Sequence, residues 1–172
     1  MTTILGIDPG SRTTGYGVIR LEGKRPVYVE CGCLQVADDE LPERLRLIFA
    51  GISDVVASFR PDQVAIEKVF VNRNVESALK LGQARGAAIV ACANQGLPVH
   101  EYSPNQIKLA IVGRGHAEKT QVQHMVKMLL ALGEVPPSDA ADALAIAMCH
   151  AHMQQGLSAV AGVRAVRGGR LV

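Results

Sequence analysis

The chain has 172 residues, of which 48% are hydrophobic and 20% charged, with a formal net charge of +2. This excludes a disordered polyelectrolyte and suits one domain with a sizeable core. No apolar run reaches the roughly 18 residues of a membrane span, and MTTILGIDPG has neither the basic start nor the cleavage site of a secretory signal, so a cytoplasmic protein is expected. Cys31, Cys33, Cys92 and Cys149 form no CxxC pair, which favours reduced thiols over zinc ligation or a disulfide framework. Residues 1–67 hold seven Lys/Arg and ten Asp/Glu, whereas residues 68–130 hold eight and three. The middle of the chain is a candidate surface for a polyanion, or else a set of solvated helix faces.

TTILGID reads as a buried strand stopping at Asp8, where Pro-Gly breaks it. GYGVIRLEG and PVYVECGCLQV follow as two strands of an antiparallel meander, since their connections are too short for crossovers. From residue 41 the period lengthens. Leu41, Leu45, Ile48, Ile52, Val55, Val56 and Phe59 form one helical stripe, with Pro42 in the first turn. QVAIEKV is another buried strand, with Glu67 near its C-terminal end. NVESALKLGQARGAAIVACANQG predicts a long, closely packed helix with Gly96 at its exit. LPVHEYS is a fifth strand, and Ser103-Pro104 opens a short helix to about Val112. AEKTQVQHMVKMLLAL predicts a helix with Val122, Met125, Val126 and Leu129 inward. After the loop GEVPPS, Ser138 is expected to cap a last helix. The order βββαβαβαα plus a final helix implies a mixed five-stranded sheet with helices on both faces. Residues 1–155 are expected to form one domain, and 156–172, Gly-rich with Arg164, Arg167 and Arg170, a flexible tail.

SDAADALAIAMCH places Asp139 and Asp142 at i and i+3 in an apolar helix, with Cβ atoms about 5–6 Å apart. Two bare carboxylates there repel by about 3 kcal/mol at an effective dielectric near 20. The helix N-terminus offsets only about 0.3–1 kcal/mol of this. Either the pair caps the helix in water, or a proton, a basic neighbour or a cation compensates it. Asp8 and Glu67 each end an apolar strand, where open sheets meet ligands. If those strands are neighbours, the last helix need only abut that edge to complete a four-carboxylate cluster. Four acids without a matching His/Cys set specify a hard cation, Mg2+ or Mn2+. Two such ions would serve phosphodiester cleavage. His150 and His152, at i and i+2, diverge on a helix and read as ordinary helix residues. The Gly-rich GIDPGSRTTGYG is a weak phosphate-loop signal.

LGIDPGSRTTGYGVI, AIEKVF, ALKLGQARG, GRGHAEKTQV and SDAADALAIA, in this order, resemble the RuvC family of Holliday junction resolvases over about residues 1–155. The resemblance implies an RNase H-like fold, a homodimer, and Mg2+-dependent cuts in two opposing strands of a four-way DNA junction, with two ions per subunit and Mn2+ able to substitute. Asp8, Glu67, Asp139 and Asp142 stand at the family's catalytic and metal-holding acids. Phe70 stands where the family stacks an aromatic at the junction. Arg73, Lys80, Arg85, Lys108, Arg114, Lys119 and Lys127 are the expected DNA contacts, with Lys119 nearest the scissile phosphate. The implied partner is the RuvA–RuvB branch-migration complex. The alternatives are a different nuclease on the same fold, such as an RNase H or a YqgF-like protein; an actin/Hsp70-like ATP-binding module, whose opening loop looks similar but which would need a second lobe; and a module that binds junctions without cutting.

Overall fold

The computed structural model describes residues 1–36, 40–69 and 74–166, with 157–166 as helical backbone. Strands β1 (Thr2–Asp8), β2 (Thr13–Glu22) and β3 (Arg25–Gln35) come first, followed by α1 (Leu41–Phe59), β4 (Gln63–Glu67), α2 (Val75–Ala93) and β5 (Val99–Tyr102). Helices α3 (Pro104–Val112), α4 (Lys119–Leu129) and α5 (Ser138–Val166) complete the chain. The sheet order is β3-β2-β1-β4-β5. The first three strands pair antiparallel, while β4 runs parallel to both β1 and β5. The expected mixed five-stranded α/β sheet is present, and β1 and β4 are neighbours.

The strand period of two divides the core between the faces. Ile4, Ile19, Ala65 and Tyr102 pack with α3, α4 and α5. Leu5, Ile7, Val18, Val64 and Ile66 pack with α1 and α2. In α1 the stripe is buried at Ile48, Ile52, Val55 and Val56, while Leu41 lies at the exposed first turn. In α4 the structure departs from the expected pattern. Leu129 is exposed and Leu130 buried, because the helix stops at Leu129 and the chain turns Leu130 back under it.

Local chemistry sets the helix starts. Ser103 accepts from the Gln106 N–H and the Gln106 side chain accepts from the Ser103 N–H, a reciprocal cap for α3. Ser138 does not cap α5. It is the first helical residue, its hydroxyl accepts from Gln123 Nε2, and the Pro137 carbonyl takes the Ala141 N–H instead. The helix also continues past Gly156, the expected start of the tail, to Val166. The Ala-rich segment between has no proline to stop it.

Helix α5 lies almost directly on β1 and β2 because glycines leave it room. A Cβ on Gly6 would overlap the Ala143 carbonyl oxygen, and one on Gly15 that of Asp139. One on Gly17 would come within 2.7 Å of the Leu144 N–H nitrogen. Gly6, Gly15 and Gly17 of the opening motif thus serve helix packing, where the motif read as a weak phosphate-loop signal, while a Cβ on Gly10 would meet the Thr13 backbone instead.

Candidate active site

Three chain segments meet at one edge of the sheet. The β1–β4 register pairs Ile7 with Ile66, so Asp8 and Glu67 end adjacent parallel strands. Contact with Gly15 draws the first turn of α5 over this edge, and Asp139 and Asp142 come with it. Asp8, Asp139 and Asp142 each offer a carboxylate oxygen within 4.8 Å of the others. Glu67 joins Asp142 and Lys119 in the wall of an adjoining cleft of about 300 Å3, which Lys108, Ile107, Val122 and Ile146 also line.

The electrostatics are those of an anionic pocket short of positive charge. Burial, then Glu67, Asp142 and Asp139, push the Asp8 carboxyl up to about 8, against a smaller opposing pull from Lys119. Burial and Asp142 raise Glu67, which Lys119 and Lys108 pull down. Burial raises Asp142 as well, opposed by Lys119 and reinforced by Asp139. Lys119 Nζ lies 2.6 Å from Asp142 Oδ2. Burial alone would lower the lysine, but that hydrogen bond and the charges of Asp142, Asp8 and Asp139 raise it.

The donor set fits a hard divalent cation. All the candidate ligands are carboxylates, and oxygens on opposite sides of Mg2+ lie about 4 Å apart, so small side-chain rotations would close the group around an ion. The lysine ammonium among the acids shows that the pocket favours positive charge.

The family model described as crossover junction endodeoxyribonuclease RuvC matches residues 4–150. The chain belongs to the RuvC family. The RuvC of Shewanella pealeana is 58% identical over 167 residues, covering 97% of this chain and 96% of the relative. That of Marinobacter nauticus is 56% identical over 172 residues, covering 99% and 98%. Among solved structures, Thermus thermophilus RuvC in complex with Holliday junction substrate is 38% identical and superposes with a TM-score of 0.86, over 92% of this chain and 98% of that one. The chain is therefore a crossover junction endodeoxyribonuclease with the RNase H-like fold of the RuvC family, whose nucleases depend on a metal. Neither a YqgF-like nuclease nor an actin/Hsp70-like module describes it.

The basic residues expected at DNA in this RuvC chain fall into distinct settings. Lys108 and Lys119 line the cleft beside the acids. Arg114 is exposed after α3, and Lys127 is half-buried in the last turn of α4. Lys80 is exposed and pairs with Glu76 one turn back on α2. Arg85 turns inward instead: its Nε donates to the Glu67 carbonyl at 3.0 Å, and its guanidinium pairs with Glu101 at 2.9 Å. Phe70 and Arg73 lie outside the described residues. His150 and His152 point to different partners. His150 is buried between Tyr102 and Gln63, and burial together with His100 lowers its pKa to about 4. His152 meets the Ala110 carbonyl.

Two features escaped the sequence reading. Gly15 and Gly17 sit at strand spacing opposite an alanine-rich helix, a pattern legible as close packing. The inward turn of Arg85 has no sequence signal, because it depends on Glu101 reaching the same spot from another strand.

Proposed function

We propose that this chain resolves Holliday junctions by hydrolysing one phosphodiester in each of two opposing strands, leaving 5′-phosphate and 3′-hydroxyl ends, in recombination and DNA repair. The observation that carries this reading is the convergence of Asp8, Asp139 and Asp142, with Glu67 beside them, at one sheet edge of a RuvC-family chain. These four acids would hold Mg2+, two ions per subunit, with Mn2+ as a substitute. Bound there, divalent cations supply neutralising charge for the scissile phosphate and a more acidic water.

The chain's own residues do the remaining work. Lys119, 56% exposed at the mouth of the cleft, has its ammonium on Asp142, and a phosphate oxygen is its second anionic partner. Lys108 offers the same charge from the α3 wall. Ile107, Val122 and Ile146 give the cleft an apolar lining that limits water beside the reacting phosphate. Lys80, Arg114 and Lys127 would hold backbone farther out, and Phe70 and Arg73, outside the described residues, are proposed as further DNA contacts. Arg85 is the exception, and its geometry suits another role.

A four-way junction has approximate two-fold symmetry, which a homodimer with two equivalent clusters would match. Helix α2 supports this reading. Val75, Leu79 and Val90 are exposed at 63%, 63% and 55%, and Gly82 and Gly86 between them have open space around them. That face would bury its apolar surface against a second copy. RuvA–RuvB is the motor partner the family implies. Free thiols at all four cysteines suit a cytoplasmic setting.

The decisive test uses a labelled four-way junction and a matched duplex, with and without Mg2+. Paired nicks confined to the junction, lost in Asp8→Asn while junction binding persists, are the expected result. Cleavage by Asp8→Asn at the wild-type rate would remove the acid cluster from the mechanism.

A further inference from the structure

Glu67 is the last residue of β4, and its backbone carbonyl lacks the partner a parallel ladder would supply. The Lys68 N–H closes the final rung toward β5 by donating to the Tyr102 carbonyl at 2.8 Å. On the other side Ile7 pairs with Ile66, so the next rung would run from the N–H of residue 9 to the Glu67 carbonyl. Residue 9 is Pro9, which has no N–H. The strand break that frees Asp8 therefore leaves the neighbouring acid's backbone unfastened.

Arg85 fastens it. From α2 its Nε donates to the Glu67 carbonyl at 3.0 Å. One terminal nitrogen pairs with Glu101 Oε1 at 2.9 Å, so β5 anchors the other end of the guanidinium. The arginine side chain is only 18% exposed, which leaves little of it to meet a phosphate. The planar fork can hold two oxygens in fixed relation, which a lysine ammonium cannot do in the same way.

We propose that Arg85 is a positioning residue: by holding the Glu67 carbonyl where Pro9 cannot, it sets the direction in which the Glu67 carboxylate enters the acid cluster. The inference rests on Glu67 being one of the cation-holding acids. Loss of a group that orients a ligand typically costs ten- to a hundredfold in metal affinity or activity.

Arg85→Met, Arg85→Lys, Glu101→Gln and Glu67→Gln would be compared with wild type. The readouts are single-turnover junction cleavage across a Mg2+ titration, junction affinity without Mg2+ at several salt concentrations, and thermal midpoint. Arg85→Met is expected to cut about ten- to a hundredfold more slowly at low Mg2+ and to need correspondingly more Mg2+ for half-saturation, with junction affinity within about twofold of wild type. Arg85→Lys should keep most of the deficit, and Glu101→Gln should show a smaller one in the same direction. If Arg85→Met fails to fold, Glu101→Gln carries the test alone. Three results overturn the proposal: unchanged Mg2+ half-saturation, full recovery by lysine, or weaker junction binding with a salt slope shallower by about one, the mark of a lost phosphate contact. A wild type that does not cut, or an active Glu67→Gln, would instead overturn the resolvase reading beneath it.

Discussion

With its carboxyl buried beside Glu67, Asp142 and Asp139, Asp8 has a pKa pushed up to about 8. In the cation-free chain at pH 7 the folded state therefore holds a proton that the unfolded state, with its value near 3.8, has released. The sign follows from linkage. Between about 4 and 8 the native state binds more protons, so stability falls as pH rises through that window. Glu67 and Asp142, also raised, act in the same sense. In chelator, the thermal midpoint of the wild type should be lower at pH 8 than at pH 6, and Asp8→Asn should flatten that slope and melt higher at pH 8. A flat wild-type profile would contradict the buried-acid reading. Cation uptake must displace the same proton, so the Mg2+ needed for half-maximal cleavage should fall about tenfold per pH unit below 8 and level off above it. Titrations at pH 6.5, 7.5 and 8.5 measure this directly.

Among the elements, α5 carries the largest burden. It is both the main packing element of one sheet face and the carrier of two of the four acids. Its closeness to β1 and β2 depends on hydrogen atoms at Gly6, Gly15 and Gly17, where any side chain would meet helix atoms. Gly15 is the most sensitive of these for function, since its missing Cβ faces the Asp139 carbonyl. Gly15→Ala should destabilise the fold by about 1–3 kcal/mol through overpacking. It should also slow cleavage more than the lost stability explains, because the acid-bearing turn is pushed off the sheet edge. Denaturant unfolding alongside single-turnover cleavage separates the two effects; cleavage that falls only with the folded fraction would show that the turn tolerates the shift.

For the whole molecule, charge and shape divide the surface. Among the described residues, the cations of 68–130 lie on different elements, and two of them, Lys108 and Lys119, line the acid cleft. Removing Lys108 or Arg114 should weaken junction binding and reduce the salt slope by about one per phosphate contact. The exposed face of α2 gives the companion expectation. Leu79→Glu places a charge on the face proposed to join two copies: wild type should sediment as a dimer and this variant as a monomer, with the melting transition retained and paired cutting lost. A Leu79→Glu dimer would move the interface to another face.

Much of this architecture was legible before any coordinates. The short apolar runs in TTILGID and QVAIEKV, the α1 stripe and the Ser103 cap are local signals, and local signals survive folding because they come from backbone geometry and neighbours along the chain. The acids were legible as candidates, since Asp8 and Glu67 end apolar strands and Asp139 and Asp142 interrupt an apolar helix, placements costly enough to demand a reason. What could not be read was how distant segments meet. The place of Ser138 as first residue rather than cap was decided by the Pro137 carbonyl and Gln123. The glycine stripe acquired its meaning only once α5 lay on it, and Arg85 turned inward because Pro9 left a carbonyl open and Glu101 supplied the opposite charge. By itself the sequence determined the elements and the acids at their ends, which depend on neighbours along the chain. Tertiary structure alone decided which cations serve the interior and how the acids converge, because those outcomes depend on groups that only packing brings within a few ångströms.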